Sequence, residues 1–452
     1  MKKKKETIDL TKGSVAKGIV AFTIPLIFGQ LLQQLYNMAD AWVVGNFADN
    51  TAFAAVSTSG SLVFLVVGMF NGIAIGGGVV ISRYVGAEDE KNIERSIHTN
   101  ILFGIIASVL MTAIGLIFAP QILNMMDVPE NVLPQSLTYF KIYFAGSATI
   151  IMYNIFMSIM RALGDSVRPM YYLAICSAVN VVLDLVFVGV FHWGASGAAA
   201  ATVIAQGVAF FCAAVYLYRH KEAMQFDFRL RCFAIDREQL GALCRLGIPS
   251  VVQQFLITIS ITFVNSQVNA FDVTASAVDS VGGKLNMVAN IITGAISTAA
   301  ATMIAQSFGA RKMDRVKHSF RACMAICMVW WVILSACYLL FPRQIFGLFT
   351  TDEQVLELAP TYLRYAVIWL LALCSMDAPF ALVQGVGYAS FNLVVGLLDG
   401  VVARIGLSMV LGHFMGLTGF WLGSGLAGFV TTIAMGIYYL TGRWEKRETI
   451  TK

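Results

Sequence analysis

The chain has 452 residues, 58% of them hydrophobic and only 13% charged, with a formal net charge of +5 and a mean hydropathy of +0.74. Those proportions lie far outside the range of soluble domains and mark an integral membrane protein. The excess positive charge is distributed as a topology signal, which leaves no case for a nucleic-acid partner.

Apolar runs of about 20 residues, enough to cross a hydrocarbon core of about 30 Å, recur along the chain. The first six fall at 18–42, 53–82, 98–118, 137–160, 169–191 and 197–218. Met1–Lys5 has the charge of a signal-peptide n-region. Pro25, Gln30, Gln33, Gln34 and Asp40 interrupt the apolar run behind it, so the segment is expected to be retained as the first helix. Within that helix Gln30, Gln33, Asn37 and Asp40 recur at three and four residues and share a face. Asn154 with Ser158 in the fourth helix, Asn180 with Asp184 in the fifth, and Thr202 with Gln206 in the sixth are each one turn apart. Polar faces inside a bilayer are satisfied by facing one another, so these four helices predict a hydrated cavity in the N-terminal half.

The charged stretch that follows is expected to be a cytoplasmic linker, dividing the chain into an N-terminal lobe 1–218, a linker 219–241 and a C-terminal lobe 242–452. Six more runs lie at 246–270, 276–305, 320–341, 360–383, 391–412 and 418–440. The seventh helix carries Gln254, Thr258, Thr262, Asn265 and Asn269, a face that is polar but uncharged. The expected fold class is therefore all-α integral membrane, with twelve transmembrane helices.

The two halves are copies. Pro25–Gln30 aligns with Pro249–Gln254 at an offset of 224, Gly86 and Ala87 with Gly309 and Ala310 at 223, and Gly194 and Gly197 with Gly416 and Gly419 at 222. An even number of spans per copy makes the repeats parallel, six helices each, and facing repeats of this kind enclose substrate sites. With the N-terminus placed in the cytoplasm, 26 of the 31 Lys and Arg fall on that side, the others being Lys141, Lys284, Arg343, Arg364 and Arg404. Both termini are therefore expected to be cytoplasmic.

A charge at the bilayer centre costs at least about 2.5–3.5 kcal/mol, which makes Asp40, Asp184, Asp279, Asp377 and Asp399 functional candidates. Asp40 and Asp184 sit on polar stripes. Two carboxylates with amide and hydroxyl oxygens can hold a sodium ion or a proton, and the residues do not choose between them; interhelical hydrogen bonding is their other use. Asp279 with Lys284, and Asp399 with Arg404, are spaced five apart, about 140° around an α-helix, so their partners are expected on neighbouring helices. Eight cysteines without a C-x-x-C pair and five scattered histidines predict neither disulfides nor a metal site. With no carboxylate cluster for Mg²⁺, the chain is not expected to be an enzyme.

The run Pro25 to Asp40 followed by Trp42 to Gly45 resembles the multidrug and toxic compound extrusion (MATE) transporters. So do Ile81–Ala87, Arg161–Pro169, Gln306–Ala310 and Gln384–Gly387. The resemblance spans residues 15–442. It implies a V-shaped pair of six-helix lobes in a bacterial or archaeal cytoplasmic (inner) membrane. Such a protein exports cationic or amphipathic compounds by alternating access, in exchange for inward H⁺ or Na⁺, with no other cofactor. The family's N-lobe cation site maps onto Asp40, Asn180, Asp184 and Thr202, with Asn154 nearby. Gln33, Asn37, Gln206, Gln254, Asn265 and Asp377 are expected along the cavity and substrate path. The acidic residue that another branch uses on helix seven has no match at Phe255 or Ile259, and only Asp377 resembles that site. Pro25, mid-helix, permits a bend that is either static or part of the cycle. Organic cations and the bilayer are the expected partners of a monomer. The alternative is a lipid-linked precursor flippase of the same wider superfamily, which would want basic residues in its cavity; only Lys284 and Arg404 qualify.

Overall fold

In the computed structural model the described residues are 10–125, 128–221 and 234–447, without the side chains of 61–67 and 69–71, and they are almost wholly helical. The Lys2–Lys5 run and most of the expected linker lie outside them.

Aspartate starts four of the long helices. Asp49 caps α2 (Asn50–Ala87), Asp89 caps α3 (Glu90–Asn124), Asp272 caps α9 (Val273–Gly309) and Asp352 caps α12 (Glu353–Gly385). In each case the carboxylate accepts from a backbone N–H that the first turn leaves without a partner. The other long helices are α1 (Val15–Phe47), α7 (Gly194–Arg219), α8 (Arg237–Asn269), α10 (Met313–Leu340) and α15 (Leu417–Leu440). A short α11 (Pro342–Gly347) leads into α12.

Three of the expected spans are interrupted. The run at 137–160 is a pair, α4 (Leu133–Ala145) and α5 (Ser147–Ala162), bent by 48°. Gly146 lies at the bend, where a Cβ would collide with the Val203 side chain of α7. Next, α6 (Val167–Asp184) runs on into a π-helical turn, Leu185–Val190. Finally, α13 (Ala389–Gly396) and α14 (Gly406–Met415) are joined by a π-helical segment, Leu397–Ile405. Among the described residues ten helices are long and apolar enough to cross a membrane, and eleven if the bent pair is one span. The remaining expected position is that of α2, part of whose side chains lie outside the description.

The π-helical segment at 397–405 corrects one expectation. In a π-helix the hydrogen bonds run five residues apart, so residues at i and i+5 stack on one face. Asp399 and Arg404, expected to point away from each other, form an ion pair at 3.0 Å. Both are buried, and Thr431 of α15 donates a 2.7 Å hydrogen bond to the other carboxylate oxygen.

The chain packs as two compact units, and they do not divide at the linker. One takes Pro25–Gly247; the other takes Leu10–Ile24 and everything from Ile248. Thus α1 changes unit at Pro25 and α8 just before Pro249. Charge density shows where a chain leaves the membrane, but side-chain contacts decide which body a helix end belongs to. In the first unit Gln239, on the opening turn of α8, accepts from Ser96 at 2.8 Å and donates to the Tyr84 hydroxyl at 3.0 Å, while Arg95 pairs with Asp236 at 3.4 Å. In the second, Arg315 donates to the carbonyls of Leu10, Lys12 and Gly13 at 2.8–2.9 Å, and Lys312 donates to that of Thr11 at 3.1 Å.

Candidate cation site

The first unit builds its site where α1 meets α6. At Gly29 a Cβ would make ordinary van der Waals contact with the Leu173 side chain and the Met170 backbone, so the two helices touch at that point. Asn180 is buried and turns its amide toward the Thr202 hydroxyl of α7 at 3.4 Å, which leaves its Oδ1 without a donor. Asp184, fully buried at the last turn of α6, sits within hydrogen-bonding reach of Asp40 on α1.

What matters is the inventory of donors. Both carboxylate oxygens of Asp184, Oδ1 of Asp40, Oδ1 of Asn180 and Oε1 of Gln206 are buried and receive no hydrogen bond. Two opposed carboxyls are acceptor-only groups when ionised, so neither can satisfy the other. An arrangement of buried oxygens around paired negative charge fits a proton or a hard monovalent cation, and oxygen donors are the ligands such a cation prefers. The π-helical turn starts at Leu185, directly after Asp184, and turns of this kind recur at functional sites.

Two tyrosines missed by the sequence reading complete the surroundings. Tyr36 is buried beside Asp40, Gln33, Gln206 and Cys176. Tyr139 of α4 is buried beside both aspartates and belongs to an apolar cluster with Val43, Val44, Ala52, Val188 and Ala195. Tyr36 was legible, since it lies four residues before Asp40 and therefore on the same stripe. Tyr139 had no local signal, because its proximity comes from tertiary packing.

The remaining first-unit candidates are placed differently. Gln33 and Asn37 are exposed on α1. Asn154 donates its amide to Ile150, one turn back on its own helix, at 2.9 Å.

In the second unit Asp377 is buried on α12 with one carboxylate oxygen unbonded; its backbone carbonyl accepts from Ser297 at 3.1 Å. Gln254 and Asn265 are exposed on α8. Between them Thr258 and Thr262 return their hydroxyls to their own helix at 2.9 Å.

The MatE family model matches residues 25–186 and again 249–410, two segments offset by 224 residues. A probable multidrug resistance protein of Bacillus subtilis, YoeA, is 28% identical over 445 residues, covering 97% of this chain and 96% of its own. The multidrug export protein MepA of Staphylococcus aureus is 24% identical over 410 residues, covering 90% of each chain. Among solved structures, an outward-facing multidrug resistance MATE transporter of the MOP superfamily superimposes with a TM-score of 0.90. It is 24% identical and covers 99% of this chain and 100% of its own.

Proposed function

The chain belongs to the MatE family of membrane transporters, and from that premise we propose that it is a secondary antiporter exporting cationic or amphipathic drugs against inward H⁺ or Na⁺. The observation that carries this reading is the meeting of two carboxyls in one unit, buried Asp184 with neither oxygen hydrogen-bonded and half-buried Asp40 with its buried Oδ1 unbonded. Ionisable groups inside a membrane mark ion pathways and proton relays, and a mobile cation would complete this pair. Asn180 and Thr202 supply the neutral oxygens of the same site. When the cation binds, the pair loses most of its mutual repulsion; when it leaves, α1 and α6 bear opposed charges. At a separation of about 4 Å and an effective dielectric constant of about 20, that repulsion is about 4 kcal/mol. Alternating occupancy therefore supplies a force large enough to shift a two-state helix packing.

Pro25 is the hinge in this reading. It removes one backbone hydrogen bond of α1 at the point where the helix passes from one unit to the other. Gln254, Asn265 and Asp377 would line the substrate path, along with Gln33, Asn37, Asn154 and Gln206. The protein would work as a monomer in a prokaryotic cytoplasmic membrane, with both termini inside.

The test is efflux of a fluorescent lipophilic cation from proteoliposomes under imposed proton or sodium gradients, comparing wild type with Asp40→Asn and Asp184→Asn. Each variant is expected to lose gradient-driven export, and the active gradient names the ion. Equal export by wild type and both variants would overturn the coupling role. No export of any cation by wild type would favour a lipid-linked precursor flippase.

A further inference from the structure

We infer that Asp279, held by the buried aromatic pair Tyr362–Trp421, forms a subsite for lipophilic organic cations within the second unit, a deepening that rests on the export reading above. Three helices begin at one end of that unit and bring the group together: Asp279 lies near the start of α9, Tyr362 near the start of α12 and Trp421 near the start of α15. Tyr362 and Trp421 meet edge to face with ring centroids 5.0 Å apart, and Phe346 of α11 closes on Tyr362 at 5.9 Å. Asn286, two turns along α9, donates to the Tyr362 hydroxyl at 3.3 Å. Gly282 is required here, because a Cβ at that position would collide with the Tyr362 ring and hydroxyl.

Three features point to a ligand. First, Asp279 is a half-buried carboxylate with no ion-pair partner among the described residues. The cation nearest in sequence, Lys284, is turned around the helix, with Nζ 5.6 Å from the centroid of the Phe349 ring. Second, the carboxylate is positioned but not neutralised. The indole N–H of Trp421, 93% buried, is directed at Asp279, a neutral donor that leaves the charge uncompensated, and Oδ1 of Asn286 on the same helix receives no hydrogen bond. Third, the position is open along one line. Gly283, Met287, Asn290, Gly294 and Thr298 follow Asp279 at helical spacing; a Cβ at Gly283 or Gly294 would touch nothing within 4 Å, and Met287 is 41% exposed.

A carboxylate without its own counter-ion, backed by the faces and edges of Tyr and Trp, is complementary to a bulky cation with an apolar shell. Charge meets Asp279, and the apolar shell meets the exposed line from Gly283 to Met287, while the buried rings hold the carboxylate from behind. A neutral or anionic compound of the same shape gains only the apolar part.

The test is equilibrium binding of tetraphenylphosphonium to the purified full-length protein in detergent, with no ion gradient, read by tryptophan fluorescence and confirmed by calorimetry. Tetraphenylborate serves as the anionic analogue of matching size. Losing a charge-assisted contact of this kind should weaken tetraphenylphosphonium binding by about ten- to a hundredfold in Asp279→Asn. Asp279→Glu should recover most of the affinity, Trp421→Phe should reduce the fluorescence response, and tetraphenylborate affinity should not fall in any variant. Unchanged tetraphenylphosphonium affinity in Asp279→Asn, or an equal loss for both analogues, would overturn the subsite. That result would leave gradient-driven export intact, whereas failure of the export reading would appear in the proteoliposome assay with wild-type protein.

Discussion

Replacing Asp399 by Leu should strand a guanidinium inside the second unit. Arg404 would keep only two long contacts to Ser424, both 3.4 Å, and its Nε already lacks an acceptor. Removing one partner of a buried ion pair costs about 3–5 kcal/mol, whereas replacing both partners by apolar groups of similar size is close to neutral. Asp399→Leu is therefore expected to fall in the upper part of that range. Arg404→Met should fall in the lower part, because the remaining carboxylate keeps its 2.7 Å bond from Thr431. The double variant should lie within about 1 kcal/mol of wild type, which corresponds to a coupling energy of at least about 5 kcal/mol between the two positions. The four proteins would be compared by denaturant or thermal unfolding in one detergent, with helix content followed by circular dichroism. The reasoning fails if both single variants match wild type, or if the double variant is as unstable as the worse single one. Either result would mean that the ion pair does not hold the π-helical segment.

Asp49→Ala, which removes the cap of α2 and the partner of Thr51 and Gln135, should cost about 1 kcal/mol. Its carboxyl is held below the ordinary range chiefly by the Ala52 backbone N–H and then by Thr51. The stabilisation is thus present above the unfolded value of about 3.9 and lost as pH falls through the folded one, so variant and wild type should converge in acid unfolding curves. Pro25→Ala restores a helical N–H and should slow gradient-driven efflux while the fold survives by circular dichroism; undiminished efflux would show that the kink is static. Arg315→Ala removes three hydrogen bonds to Leu10, Lys12 and Gly13. It should speed amide exchange over residues 10–18 by at least tenfold relative to α10, as read by mass spectrometry.

Much of this architecture is written in the chain because membrane folding obeys few rules. Span length, the repeat and the polar stripes of helices one, five and six follow from bilayer thickness and helical period, and they locate Asp40, Asn180, Asp184 and Thr202 without tertiary information. Where the reading fails, the period itself has changed. The argument that separated Asp399 from Arg404 assumes 3.6 residues per turn, and nothing in Leu397–Ile405 announces a π-helix. Glycines near bends were equally mute, since Gly146 is one of 39 and only the approach of Val203 distinguishes it. The exchange of helix beginnings at Pro25 and Pro249 was visible as a pair of aligned prolines, but its meaning depends on where Arg315 and Gln239 make their hydrogen bonds.

The two copies treat membrane charge in opposite ways, and this asymmetry follows from residues at matching registers. Asp40 corresponds to Val264, which is buried in the second unit, so that unit has no opposed carboxyl on its first full helix. Asn180 corresponds to Ala403, and the next residue is Arg404. The helix that ends in an unneutralised Asp184 in one copy thus carries, in the other, an aspartate with its own cation attached at i+5. A covalently supplied guanidinium cannot leave, so Asp399 is permanently compensated and cannot alternate between occupied and empty states. Asp184 has no such partner among the described residues, and in the proposed coupling the donor-free oxygens around it would be completed by a cation that comes and goes. Duplication therefore provided two equivalent frames, and substitution at a few buried positions left one with a fixed ion pair and the other with two carboxyls that have no cationic side chain paired to them among the described residues. Loss of the Asp40 counterpart and gain of Arg404 both remove uncompensated negative charge from the second unit; Asp377 and Asp279 are two further carboxylates within its spans that have no ion pair among the described residues. Those two lie on α12 and α9, away from the π-helical segment, where they are free to act on something other than the coupling ion.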